Sequence, residues 1–174
     1  MMLDGKKIAI LIADYFEETE FWYPYYRFKE ANAEVTVVGA VNGVFVGKNG
    51  MKARSDIGID AVKAEQFDAV VVPGGFAPDY LRREPAVVDF VRRINEQGKV
   101  TAAICHGPWL FATAKIVKNR NLTSFYSIKD DLVNAGAYWI DQEVVVDGHL
   151  ITSRKPADLP IFCKTIIEKI AKKQ

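Results

Sequence analysis

Cys105 ends an apolar run, Val100-Thr101-Ala102-Ala103-Ile104, and is followed by His106-Gly107-Pro108. A thiol, an imidazole and a Gly-Pro break in succession fit a buried strand that delivers a nucleophile onto a sharp turn opening a helix. The pattern Ala103-x-Cys105-x-Gly107 has the layout of a nucleophile elbow, with cysteine in place of serine. Small flanking residues are needed there because bulky side chains would collide with the strand and the incoming helix. A cysteine so placed projects from the carboxyl end of a sheet toward a helix N-terminus, whose dipole favours thiolate over thiol. His106 has two readings. It is the general base or acid paired with the thiol, or it contributes only its backbone N–H, since adjacent side chains usually diverge.

Two other apolar runs end on chemically useful groups. Residues 69–72 stop at Pro73-Gly74-Gly75, and residues 7–13 stop at Asp14, followed by Tyr15-Phe16-Glu17-Glu18. The N–H groups of Gly74 and Gly75 are unscreened by side chains. Together with the N–H of His106 they would form an oxyanion hole for acyl-type chemistry. Standing alone, Pro-Gly-Gly is equally a plain strand-ending turn. A carboxylate, a glycine pair and a thiol at three strand ends can share one crevice.

The elements that must position these groups alternate along the chain. Strands are expected at 7–13, 35–40, 69–72 and 100–104. Small hairpins are expected at 44–46 with the residues after Gly50, and at 143–147 with 150–152. Helices are expected at 17–31, 87–97, 110–117 and 156–173. Pro24 predicts a late start or a kink in the first of them. Gly98 predicts the end of the second. Continuous apolar strands separated by helices imply an α/β three-layer sandwich, a mostly parallel sheet with helices on both faces. In such sheets the site lies beyond the carboxyl ends of the strands. The 174 residues show no repeat, linker or composition break, so one domain over 1–174 is expected.

Several segments together resemble the PfpI family. They are Phe16-Glu17, Val72-Pro73-Gly74-Gly75, Ile104-Cys105-His106-Gly107-Pro108 and Ile128-Lys129-Asp130-Asp131-Leu132-Val133-Asn134-Ala135-Gly136-Ala137. The tail segments Glu143-Val144-Val145-Val146-Asp147-Gly148 and Thr152-Ser153-Arg154 fit as well. The resemblance spans essentially the whole chain. It implies a flavodoxin-like, class I glutamine-amidotransferase-like fold and an intracellular cysteine protease or protein deglycase and glyoxalase. It implies Cys105 as nucleophile and Glu17 as a protonated acid beside the sulfur. It also implies Asp79 as the group that orients His106, supplied by a neighbouring subunit of a homo-oligomer (a dimer, or a hexamer of dimers or trimers). Two departures stand out. Asp79 is one methylene shorter than the family's glutamate and is equally readable as a helix cap. Phe125 replaces a tyrosine near the pocket and lacks its hydroxyl.

The rest of the sequence narrows the partners. A formal net charge of +1, with 49% hydrophobic and 26% charged residues, gives no reason to expect nucleic acid or a membrane surface. No signal peptide, spanning segment, metal-ligand spacing, P-loop or Gly-x-Gly-x-x-Gly is readable. No metal and no cofactor are therefore expected. Two cysteines without a signal predict a reduced cytoplasmic protein. Cys163 reads as a core residue and His149 as a hairpin-turn residue. The dense aromatic set Phe21, Trp22, Tyr23, Tyr25 and Tyr26 reads as core plus oligomer interface. Two functions compete. One is a cysteine hydrolase acting on small dicarbonyls and their protein adducts, or on peptides. The other is a non-enzymatic redox sensor or stress chaperone that uses the same cysteine.

Overall fold

The structure is a computed structural model and describes residues 2–172. Residue 173, included in the expected last helix, lies outside the described residues. The chain runs β1 (Lys7–Ile12), α1 (Glu18–Glu30), β2 (Glu34–Gly39), β3 (Val44–Val46), β4 (Lys52–Arg54), β5 (Ile57–Gly58) and β6 (Ala69–Val72). It continues with α2 (Ala77–Leu81), α3 (Pro85–Glu96), β7 (Val100–Ile104), α4 (Pro108–Thr113), β8 (Asn121–Leu122) and α5 (Lys129–Asn134). It closes with β9 (Tyr138–Trp139), β10 (Val144–Asp147), β11 (Leu150–Ser153) and α6 (Leu159–Ala171).

Seven strands form one sheet in the order β10-β11-β7-β6-β1-β2-β5. Every neighbouring pair is parallel except the antiparallel β10–β11 edge. The central strands are apolar and buried along their length because helices cover both faces. α1 packs beside α6, while α3 packs against β6, β7 and α4. The mostly parallel flavodoxin-like sandwich expected from the sequence is the observed architecture.

Two helices differ from expectation. α1 runs unbroken through Pro24. It begins at Glu18 because the Glu17 side chain caps it, accepting from the N–H of Glu20 at 2.8 Å. α4 is shorter than the expected 110–117. It starts at Pro108, whose missing N–H costs nothing at a helix start, and stops where Lys115 takes φ +60°. The first-helix aromatics divide: Phe21 is buried in the core, and Tyr23 and Tyr26 are exposed.

Candidate active site

The three strand ends lie side by side, because β6 is flanked by β1 and β7. Cys105 follows β7 in the left-handed region, φ +61°, a strained setting for a side chain that only a tight turn imposes. Gly107 makes the turn possible, since a Cβ there would come within 2.6 Å of the Val72 carbonyl oxygen. Gly75 also has positive φ, +73°, and a Cβ on it would sit 2.3 Å from the Tyr15 oxygen. The chain crosses there: Phe76 N–H donates to Tyr15 O at 2.8 Å and Glu17 N–H to Gly74 O at 3.2 Å.

The sulfur is held by polar groups although Cys105 is only 8% exposed. The backbone N–H groups of Gly75 and His106 both point at it. His106 Nδ1 lies 3.2 Å from Sγ, so the elbow does bring the adjacent side chains together. Of the three N–H groups expected for an oxyanion hole, those of Gly75 and His106 point at the sulfur. Gly74 is the exception, because its N–H is spent on Glu20 Oε2 at 2.8 Å.

The acid at the thiol is Glu20. Its side chain is fully buried, interacts with the Cys105 side chain, and leaves Oε1 without a conventional hydrogen-bond partner. The expectation for Glu17 is corrected by helix geometry. Glu17 caps α1, its Oε2 also accepts from the Thr19 hydroxyl, and its Oε1 lies 3.9 Å from Lys48 Nζ. Glu20, one turn on, shares the buried stripe of Phe21, Pro24 and Phe28 and is thereby aimed under the elbow. A carboxylate in the apolar stripe of an amphipathic helix is the signal that could have found it.

Burial, with the nearby Glu17 charge, pushes the Glu20 carboxyl up to about 8. At neutral pH it holds its proton. One oxygen accepts from Gly74 N–H, and the acid proton is free to serve the sulfur. Burial, and then the charge of Glu20, push the Cys105 thiol far up, against the pull of the His106 and Gly75 N–H groups. Burial thus opposes the thiolate that the helix dipole favours. The two buried acids cannot both be anionic, so they titrate as a pair.

His106 is boxed in. Phe125 stacks on its ring (centroids 5.4 Å, 26°) and Trp109 meets it at 71° and 5.0 Å. Burial and then the Lys48 ammonium hold the imidazole below its ordinary value, so it is neutral near pH 7. Its Nε2 lies 3.2 Å from the Ser127 hydroxyl. Asp79 does not reach His106 within the chain, because its carboxylate pairs with Arg83 one turn along α2 and beyond. Asp14 is structural and accepts from the Val46 N–H at 2.8 Å. Cys163 is fully buried in α6, and His149 Nε2 lies 2.9 Å from Asn95 Oδ1. Sequence reasoning missed Glu20, Ser127, Trp109 and Lys48. No group of three or more His, Cys, Asp or Glu with metal-binding geometry occurs among the described residues. Nor is any described helix long and apolar enough to cross a membrane.

The structure is an α/β protein whose parallel sheet carries, at its carboxyl edge, a cysteine on a tight turn between a buried acid and an imidazole. Residues 6–169 match the DJ-1/PfpI family, and the chain belongs to it. It is 42% identical over 162 residues to "Deglycase PfpI" of Pyrococcus furiosus, covering 93% of this chain and 98% of that one. It is 41% identical over 159 residues to "Putative cysteine protease YraA" of Bacillus subtilis, covering 91% and 94%. Among solved structures it is similar to a two-domain protein of Anabaena variabilis containing DJ-1/ThiJ/PfpI-like and ferritin-like domains. That match has a TM-score of 0.93 and 44% identity over 95% of this chain, which spans 48% of that protein's length.

Proposed function

We propose that the protein is a cysteine-dependent hydrolase of small dicarbonyls such as methylglyoxal and of their early adducts on protein amines. The observation that carries this reading is the sulfur itself, placed between two N–H donors, a protonated Glu20 and a neutral His106. The deglycase name of the Pyrococcus furiosus relative supports it.

In the proposed reaction Sγ bonds to the aldehyde carbon while His106 Nδ1 takes the thiol proton. The carbonyl π electrons move to oxygen, where the N–H groups of Gly75 and His106 stabilise the developing charge. The hydrogen on the attacked carbon then leaves as a proton, and a proton is returned to the neighbouring carbon by way of Glu20 and His106. The result is a thioester of lactate. Water cleaves the C–S bond, releasing lactate and restoring the thiol, so methylglyoxal plus water gives lactate. For an amine adduct, the amine departs with a proton.

Peptide cleavage is the second reading, supported by the name of the Bacillus subtilis relative. It asks more of His106, which must protonate a poor leaving amine. The partner of His106 within the chain is a serine hydroxyl rather than a carboxylate, and this favours the carbonyl chemistry. Lactate formation from methylglyoxal, with Cys105→Ala as control, tests the proposal. Cysteine-dependent turnover is expected. No turnover by folded, reduced protein, with Cys105-dependent cleavage of fluorogenic peptides, would replace the first reading with the second.

A further inference from the structure

We infer that Ser127 is the positioning residue of His106, holding the imidazole as the Nε2–H tautomer so that the Nδ1 lone pair faces the Cys105 thiol. The inference rests on the proposed role of His106 as the group that takes the thiol proton. Its ground is the ring's full set of contacts. Nδ1 is 3.2 Å from Sγ, Nε2 is 3.2 Å from Ser127 Oγ, Phe125 covers a face and Trp109 meets the ring near its edge.

The segment that carries Ser127 is tied to the elbow it serves. Phe125 N–H donates to the carbonyl of Cys105 at 3.0 Å, and Thr123 N–H to the Thr152 hydroxyl at 2.9 Å. The Ser124 hydroxyl accepts from Trp139 Nε1 at 2.9 Å. The 3-10 turn Tyr126–Ile128 then folds Ser127 back over the imidazole. Phe125 and Ser127 thus reach the ring from one short segment anchored on Cys105 itself.

The chemistry follows from what a hydroxyl is. A serine accepts the Nε2–H without adding charge, so it selects the tautomer but does not stabilise an imidazolium as an aspartate would. The charged and titratable groups around the ring agree with a neutral resting state. The Lys48 ammonium opposes protonation. Glu20 is directed at the sulfur, and Asp131 is occupied by Trp109 Nε1 at 2.7 Å. Arg82 lies over Trp109, and Asp79 is engaged by Arg83. The site is therefore built for a base that takes a proton briefly and gives it back.

The test is nitrogen-15 NMR of the imidazoles in the full-length protein, alongside the pH profile of kcat/KM for methylglyoxal. With two histidines in the sequence, His149 serves as the internal reference. The wild type is expected to show His106 as a single Nε2–H tautomer with a titration midpoint below that of a free imidazole. Ser127→Ala is expected to mix the tautomers and lower kcat about tenfold with KM little changed. Ser127→Thr restores both. Ser127→Asp raises the His106 midpoint, because a carboxylate at Nε2 favours the charged ring, and moves the acid limb of the pH profile with it. An unchanged His106 tautomer and midpoint in Ser127→Ala and Ser127→Asp would overturn the inference. So would a shift produced by Asp79→Ala instead, which would assign the imidazole to a neighbouring subunit. The NMR readout needs no turnover, so failure of the methylglyoxal reading would register separately.

Discussion

The two cysteines of this chain share the property usually used to rank cysteines, and they differ in everything else. Cys105 is 8% exposed and Cys163 is 0% exposed, and burial pushes both thiols up, that of Cys163 to about 12. Cys163 sits among Leu159, Phe162, Ile166 and Ile167 on the buried face of α6. Cys105 sits in a left-handed turn with two N–H donors, an imidazole and a buried acid around its sulfur. Burial alone therefore says nothing about reactivity. What distinguishes the elbow is that the polar groups needed to carry a charge and a proton are already assembled there.

The largest way to break that comparison is to exchange the roles of the two sulfurs. Cys105→Ala is expected to lower methylglyoxal turnover by at least about 10³-fold, as loss of a nucleophile does. Cys163→Ala should leave turnover intact and cost about 1 kcal/mol in chemical denaturation. Comparable losses in both variants would mean that the elbow is not the reactive region. Next comes Glu20→Gln, which removes the acid at the sulfur and keeps the shape. It is expected to lower turnover roughly 10²-fold, the scale of a positioned general acid.

The same variant sharpens the pH behaviour of the two regions. Glu20 has its folded value raised to about 8, well above the ordinary carboxylate range it has in the unfolded chain. Its contribution to stability is complete below the unfolded value and is lost as pH rises through the folded one. Glu20→Gln should therefore gain stability over the wild type as pH goes from about 5 to about 8, by an amount on the order of a few kcal/mol. Thermal unfolding at several pH values measures this. A constant difference across that range would contradict a buried, protonated Glu20. Gly75→Ala is expected to cost at least about 3 kcal/mol, since φ +73° and a backbone contact at 2.3 Å both oppose a Cβ. The smallest effect is that of Glu17→Ala, which removes a helix cap and should cost about 1 kcal/mol with little change in turnover.

Most of the scaffold was legible because its strands are continuous apolar runs with sharp stops at Asp14, Pro73 and Cys105, and a parallel sheet buried on both faces leaves that pattern. Cys105, His106 and Gly75 were legible for the same reason: they stand at strand ends. Glu20 was not, because three glutamates crowd the first turn of α1 and only the helical phase tells the cap from the buried position. Gly74 was half legible. Its lack of a side chain marks a close approach, but the partner is Glu20 rather than a substrate oxygen. Ser127 left no mark, since a lone serine gains its role only when a 3-10 turn brings it over a ring 21 residues away in sequence. Asp79 was read from the family resemblance, and within the chain it is engaged by Arg83.

The proton path at the site depends on one pairing, Glu20 rather than Glu17 at the sulfur of Cys105. The pH dependence of Cys105 alkylation in wild type, Glu17→Gln and Glu20→Gln measures it directly. Two coupled acids give a two-step titration, with the first step expected near 8 in the wild type and lower in Glu17→Gln, which keeps both steps but loses the Glu17 charge that helps raise Glu20. Glu20→Gln should collapse it to a single step. If Glu17→Gln removes the first step and Glu20→Gln keeps it, the assignment of the acid is wrong, and with it the proton path drawn through the site.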